Sequence, residues 1–181
     1  EKRTYPIINA IYNLTLGEGH TLQSDHSKAI LFKKEAIAIF ETLDDKQLLA
    51  DIYLSIANNY YRNGNYDLSL KFFNKSLSYY KKTGKKTEYA LTLNDIGAVY
   101  YSQGKYNKAI VFYMKSLAIH QEFKDKKAIA RALNNIGATH VSQRNYAEAL
   151  NFYEKSLKIR EKIEDKSGLG SSLINIGGIY E

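Results

Sequence analysis

The chain has 181 residues, a formal charge of +7 from 26 Lys and Arg against 19 Asp and Glu, a single proline and no cysteine. Disulfides, thiolate metal sites and cysteine nucleophiles are therefore excluded, whereas cytoplasm and periplasm both stay open to a cysteine-free chain. No apolar run approaches the roughly 20 residues that cross a bilayer, so this segment is expected to make no membrane contact.

In chain order, Glu1 to Asn9 read as a lead-in in which Pro6 suits the first turn of a helix. From Ala10 onward a 40-residue register holds: Gly17 lies on Ala57, Gly97, Gly137 and Gly177, and Phe32 on Phe72, Phe112 and Phe152. It is faint at first, where Gly17 to Ser27 reads as a polar, irregular stretch. It is strict between 90–129 and 130–169, where 18 of 40 columns are identical. Fixed-period self-similarity marks a solenoid whose units pack on their neighbours. The expected division is one array, with a degenerate repeat at 10–49, full repeats at 50–89, 90–129 and 130–169, and the first helix of a further repeat at 170–181. That last helix would lack its partner. The chain also opens on Glu1 rather than Met, so a longer parent protein is expected.

Within a unit, Leu133, Ile136, Gly137 and His140 recur at helical spacing and define one face of a first helix. Gly64 and Gly104 follow the equivalent helices as left-handed closing residues. Tyr146, Ala149, Leu150, Tyr153 and Leu157 make a stripe on a second, longer helix. Asp45, Asp125 and Asp165 stand where an N-cap is needed; Lys85 takes that column once, predicting a weaker cap. Arg144 replaces the turn glycine. Lys81, Lys82, Lys85, Lys86, Lys124, Lys126, Lys127, Lys162 and Lys166 gather at these turns. Cations near helix C-termini favour a solvated edge over a nucleic-acid stripe.

These columns resemble the tetratricopeptide repeat. The large position reads Tyr53, Leu93, Leu133 and Leu173; the next pair Ile56-Ala57, Ile96-Gly97, Ile136-Gly137 and Ile176-Gly177; the aromatic Tyr60, Tyr100, His140 and Tyr180. In the second helix the small, aromatic and small columns read Ser69, Ala109, Ala149; Phe73, Tyr113, Tyr153; and Ser76, Ser116, Ser156. The closing proline of the family is replaced by Lys81, Gln121 and Glu161, and the period is 40 rather than the commoner 34. The resemblance implies an all-α, right-handed α-solenoid of helix-turn-helix repeats. Its long period is similar to repeat regions of bacterial signalling and regulatory proteins.

No catalytic constellation emerges. His20 and His26 flank Asp25 near Ser24 and Ser27, a crowding without ligand spacing or a nucleophile elbow, read as turn residues with an Asp25 or Ser24 cap. His140 fills an aromatic packing column. His120, in the column of Tyr80 and Arg160, is expected to be partly exposed. The glycines form neither a phosphate loop nor a dinucleotide fingerprint, so no cofactor or metal is expected and the chain is read as non-enzymatic.

Function is instead sought on the inner wall formed by stacked first helices, where repeat proteins bind. The residues expected there are Asn58, Tyr61, Arg62, Asn94, Asp95, Tyr101, Arg131, Asn134, Asn135 and Asn175. An asparagine ladder presents donor and acceptor together to a peptide main chain. Aromatics would supply pockets, and the arginines would take a carboxylate. In the column after the small residue, where family clamps carry asparagine, only Asn58 matches, so a terminal-carboxylate clamp is not reproduced. Two readings stay open: the asparagines contact a protein or peptide partner, or they tie adjacent helices together. An adaptor, a sensor and a scaffold for an active domain beyond residue 181 are all compatible. Self-association through the exposed helix at 170–180 is also expected, from Leu173, Ile176 and Tyr180.

Overall fold

A computed structural model describes residues 4–180. Among these residues the chain is all α-helical, with nine helices and no strand. It divides into two compact units, Glu1–Lys85 and Lys86–Glu181.

The first unit holds α1 (Thr4–Leu22), α2 (His26–Leu43), α3 (Lys46–Arg62) and α4 (Tyr66–Thr83), each packed on the next. Pro6 lies in the first turn of α1, as expected, while Glu1–Arg3 of the lead-in lie outside the described residues. The stretch from Gly17 is not irregular: α1 continues through it to Leu22, and the turn is confined to 23–25. The second unit holds α5 (Lys86–Ser102), α6 (Tyr106–Glu122), α7 (Lys126–Ser142), α8 (Tyr146–Lys162) and α9 (Lys166–Tyr180). Here too each helix packs on the next, and α7 also touches both α5 and α9, so the odd-numbered helices form one layer. In the repeat at 130–169 the second helix is not the longer one: α7 and α8 have 17 residues each.

One closure ends α1, α3, α5 and α7. In the second unit the N–H groups of Lys105 and Asn145 reach back to the carbonyls of Tyr100 and His140, both at 2.9 Å, because the residue between is left-handed. That residue is Gly104 at φ 70° and Arg144 at φ 62°. Asp45, Asp125 and Asp165 then cap the following helices, accepting from the N–H groups of Leu48, Ala128 and Gly168. Lys85 has no side-chain acceptor to offer α5.

The cores are the small and aromatic columns meeting. In the second unit Ala109, Tyr113, Leu117, Ala132, Leu133 and Ile136 form one buried cluster, with Tyr100 and Phe152 packed against it. Each of its large side chains contributes roughly 1.5–3 kcal/mol of apolar burial before the entropy of ordering it, and each alanine less than about 1 kcal/mol. The Ser76, Ser116 and Ser156 hydroxyls donate to the Ala50, Ala90 and Ala130 carbonyls, 26 residues back, at 2.9, 2.7 and 2.7 Å. Tyr146 departs from its expected stripe and is 47% exposed. Its counterparts Tyr66 and Tyr106 lean on Tyr61 and Tyr101, but Val141 stands where that ring would be. The turn lysines are exposed.

Candidate functional site

In the second unit the face of α5, α7 and α9 turned away from α6 and α8 carries most of the expected contact residues. Helical periodicity separates the two faces: Leu93, Ile96 and Gly97 of α5 are buried, Gly97 against the Tyr113 ring of α6, and Asp95 lies roughly 200° round from Leu93. Along this layer Asn135 Nδ2 donates to Asn94 Oδ1 at 3.0 Å, and Asn175 Nδ2 to Asn134 Oδ1 at 3.0 Å. The ladder thus does tie neighbouring helices. It keeps some capacity as well, since Asn135 Oδ1 and Asn134 Nδ2 have no protein partner among the described residues and both side chains are half-buried.

Asn94 itself is nearly closed off, at 6% exposure, and donates to the Asp95 carboxylate. Burial pushes the Asp95 carboxyl up to about 6, against the opposing pull of the Arg131 guanidinium and the Asn94 hydrogen bond. Arg131 is exposed on α7. The Tyr101 and Ser142 hydroxyls are 2.9 Å apart, bridging α5 and α7 beside the ladder. Six of the expected residues therefore share one surface, Asp95, Tyr101, Arg131, Asn134, Asn135 and Asn175, while Asn94 is buried beneath them as a tie between helices.

Asn58, Tyr61 and Arg62 belong to the first unit. Asn58 donates to its own helix at the Leu54 carbonyl, Tyr61 leans on Tyr66, and Arg62 is exposed at the end of α3. Sequence reasoning missed the densest polar cluster of that unit. Lys33, 0% exposed, stands in the aromatic column of Phe73, Tyr113 and Tyr153, and its absence from the aromatic pattern was the available signal. Its ammonium donates to Thr21 Oγ1 at 2.8 Å and Ser55 Oγ at 2.7 Å and pairs with Glu18 at 3.0 Å. The buried charge is fully served, which makes it a structural tie.

The histidines divide likewise. His20 stacks on Phe32 and His140 on Phe152, while His26 meets Asn59 at 2.9 Å and Asp25 caps α2. These are the packing and turn roles expected for His140 and Asp25. The partial exposure expected of His120 is wrong: it is 1% exposed, because its column lies beneath the inter-repeat turn, where Tyr80 and Arg160 are buried too. Among the described residues no group of three or more His, Asp or Glu is placed to hold a metal, and no helix is long and apolar enough to cross a membrane.

Stacked helical hairpins with a polar layer on their first helices define an α-helical repeat protein. Tetratricopeptide repeat models match residues 48–122 and 129–165, and the chain belongs to the tetratricopeptide repeat family. No curated protein sequence matches it. Among solved structures it is similar to aspartyl phosphate phosphatase F from Bacillus subtilis, at 19% identity and TM-score 0.93, over 99% of this chain and 47% of that one. It is also similar to a Rap protein complexed with competence and sporulation factor, at 19% and 0.78, over 96% and 49%. A third is a signal transduction ATPase with a tetratricopeptide repeat sensor from Pyrococcus horikoshii, at 19% and 0.87, over 97% and 27%. The chain spans less than half of each of these proteins, and at such identities the likeness is one of fold.

Proposed function

We propose that the chain is a non-catalytic interaction module that holds a peptide or partner protein against the free face of α5, α7 and α9. It would serve as the sensing or interaction part of a larger signalling or regulatory protein. The observation that carries this reading is the pair of amide atoms, Asn134 Nδ2 and Asn135 Oδ1, that neighbouring helices leave unpartnered on a half-buried surface. One donates and the other accepts, which matches the main chain of an extended segment. Ala98 and Ala138 beside them keep the surface low. The Rap complex and the sensor-bearing ATPase support a binding role by likeness of fold.

An array of random extended peptides, probed with wild type and with Asn134→Ala/Asn135→Ala, tests the reading. Loss of retained peptides in a variant that still melts cooperatively is expected. Equal retention by both proteins sinks it. If the chain is instead a passive scaffold for a domain beyond residue 181, wild type retains nothing above background.

A second observation favours self-association. Leu173 and Tyr180 on α9 are 57% and 77% exposed, and among the described residues no atom outside the backbone of its own helix comes within 4 Å of where a Gly177 Cβ would stand. The equivalent Gly97 and Gly137 sit under the Tyr113 and Tyr153 rings. We propose that a second copy of the chain covers this face. Light scattering at rising concentration should show dimers that Leu173→Glu abolishes, and a strict monomer at high concentration overturns the proposal.

A further inference from the structure

We infer that Asp95 is the specificity determinant of this face, and that it selects an extended peptide carrying one Arg or Lys side chain. The inference rests on the reading of the face as a peptide-binding surface.

Several other carboxylates of the chain are partnered within it. Glu18 pairs with Lys33 and Asp25 with Lys28, both at 3.0 Å, and Asp44 with Lys46 at 3.1 Å. Asp51 accepts from the Tyr80 hydroxyl at 2.6 Å. Asp95 is half-buried, and its side-chain hydrogen bond comes from a neutral amide, Asn94. Although the chain carries 26 Lys and Arg, among the described residues none brings a nitrogen within 4.0 Å of it. Arg131 is the cation whose field reaches it, without forming an ion pair.

A bland role as a helix tie does not need the charge. In the same column of the next two repeats, Asn135 and Asn175 make the tie with neutral amides, at 3.0 Å each. A carboxylate there gives up hydration with no counter-ion in return, so the position is costly unless something else supplies the cation. A guanidinium or ammonium brought in by a ligand does so and forms a charge-assisted hydrogen bond. The unpartnered amide atoms of Asn134 and Asn135 lie one helix along, on the same face, to hold the ligand main chain. The overall charge of +7 disfavours a polybasic ligand, which is why a single cationic side chain is specified.

The test uses immobilised hexapeptides of randomised composition in which one position is held as Arg, Lys, norleucine or Glu. They are probed with the full chain as wild type, Asp95→Asn and Arg131→Gln. Wild type is expected to retain Arg- or Lys-bearing peptides about tenfold better than the norleucine set, with Glu weakest. Asp95→Asn should bring Arg, Lys and norleucine within about twofold, while Arg131→Gln, which removes the competing cation, should keep or sharpen the preference. Peptides retained without a cationic preference, or a preference that survives Asp95→Asn, overturn the inference and leave the peptide-binding face standing. No retention of any peptide overturns both.

Discussion

The Tyr153 ring lies against Gly137 so closely that a Cβ added there would stand 2.7 Å from Cδ1 and Cε1 of the ring and 3.2 Å from the Ala149 carbonyl oxygen. Tyr153 is 3% exposed, so the ring has no room to retreat. Gly137→Ala should therefore lower unfolding stability by about 1–3 kcal/mol in spite of alanine's better helix propensity. Gly177→Ala, in the same column but with open space around it, should raise stability by up to about 1 kcal/mol. Urea melts of the two variants should move in opposite directions; a shared direction would show that backbone propensity, not the ring contact, governs the column.

Arg144 occupies a left-handed conformation, φ 62°, that Gly104 takes at φ 70° one repeat earlier. An L-residue is penalised there by about 1 kcal/mol, so Arg144→Gly should raise the melting temperature by a few degrees. An unchanged or lower value would mean that the freedom glycine adds to the unfolded chain outweighs the relief.

His120 is buried with neither ring nitrogen hydrogen-bonded, Nδ1 being 3.8 Å from an Asp125 oxygen. Burial lowers its pKa, Asp125 opposes that shift and Arg131 adds to it. The folded state thus prefers the neutral ring. The stability it allows is present above the ordinary histidine value of 6.5 and is lost as pH falls below it. His120→Phe, the residue of the same column at Phe40, should add about 1–2 kcal/mol at pH 7 and flatten the acid limb. Melting curves between pH 7.5 and pH 5 that run parallel for both proteins would contradict this.

Asp95 has the opposite sign. Burial raises its carboxyl from 3.8 to about 6, so the stability of its protonated form is fully present below 3.8 and is lost as pH rises through 6. Asp95→Asn should be more stable than wild type by about 1–2 kcal/mol at pH 7.5 and equal to it near pH 3.5. Chemical denaturation at the two pH values checks the difference, and a pH-independent offset would assign it to packing instead of charge.

Much of the fold was legible in the chain because a repeat protein writes its packing locally. Gly97 and Gly137 announce the close approach of two helices, Tyr113 and Tyr153 the rings that fill it, and Gly104 with Asp125 the ends of the elements. The candidate face was legible as a set of columns. Its internal pairing was not, because the Asn135–Asn94 and Asn175–Asn134 bonds join residues 41 apart, and sequence spacing alone cannot say which amide atom meets which.

By itself, then, the sequence determined the helical hairpin, its 40-residue period and its turn chemistry, since these rest on backbone preference and on the periodicity of one helix. Tertiary structure alone decided what the polar residues do. Ser116 and Ser156 read as small spacers until their hydroxyls meet the Ala90 and Ala130 carbonyls. Lys33, which no column pattern singled out, became a structural tie only because Thr21, Ser55 and Glu18 close around its ammonium. His120 and Asp95 acquire their titration behaviour the same way, from burial by neighbouring helices. A charge or hydroxyl is set by what replaces its water, and in a stacked array that replacement arrives from another helix.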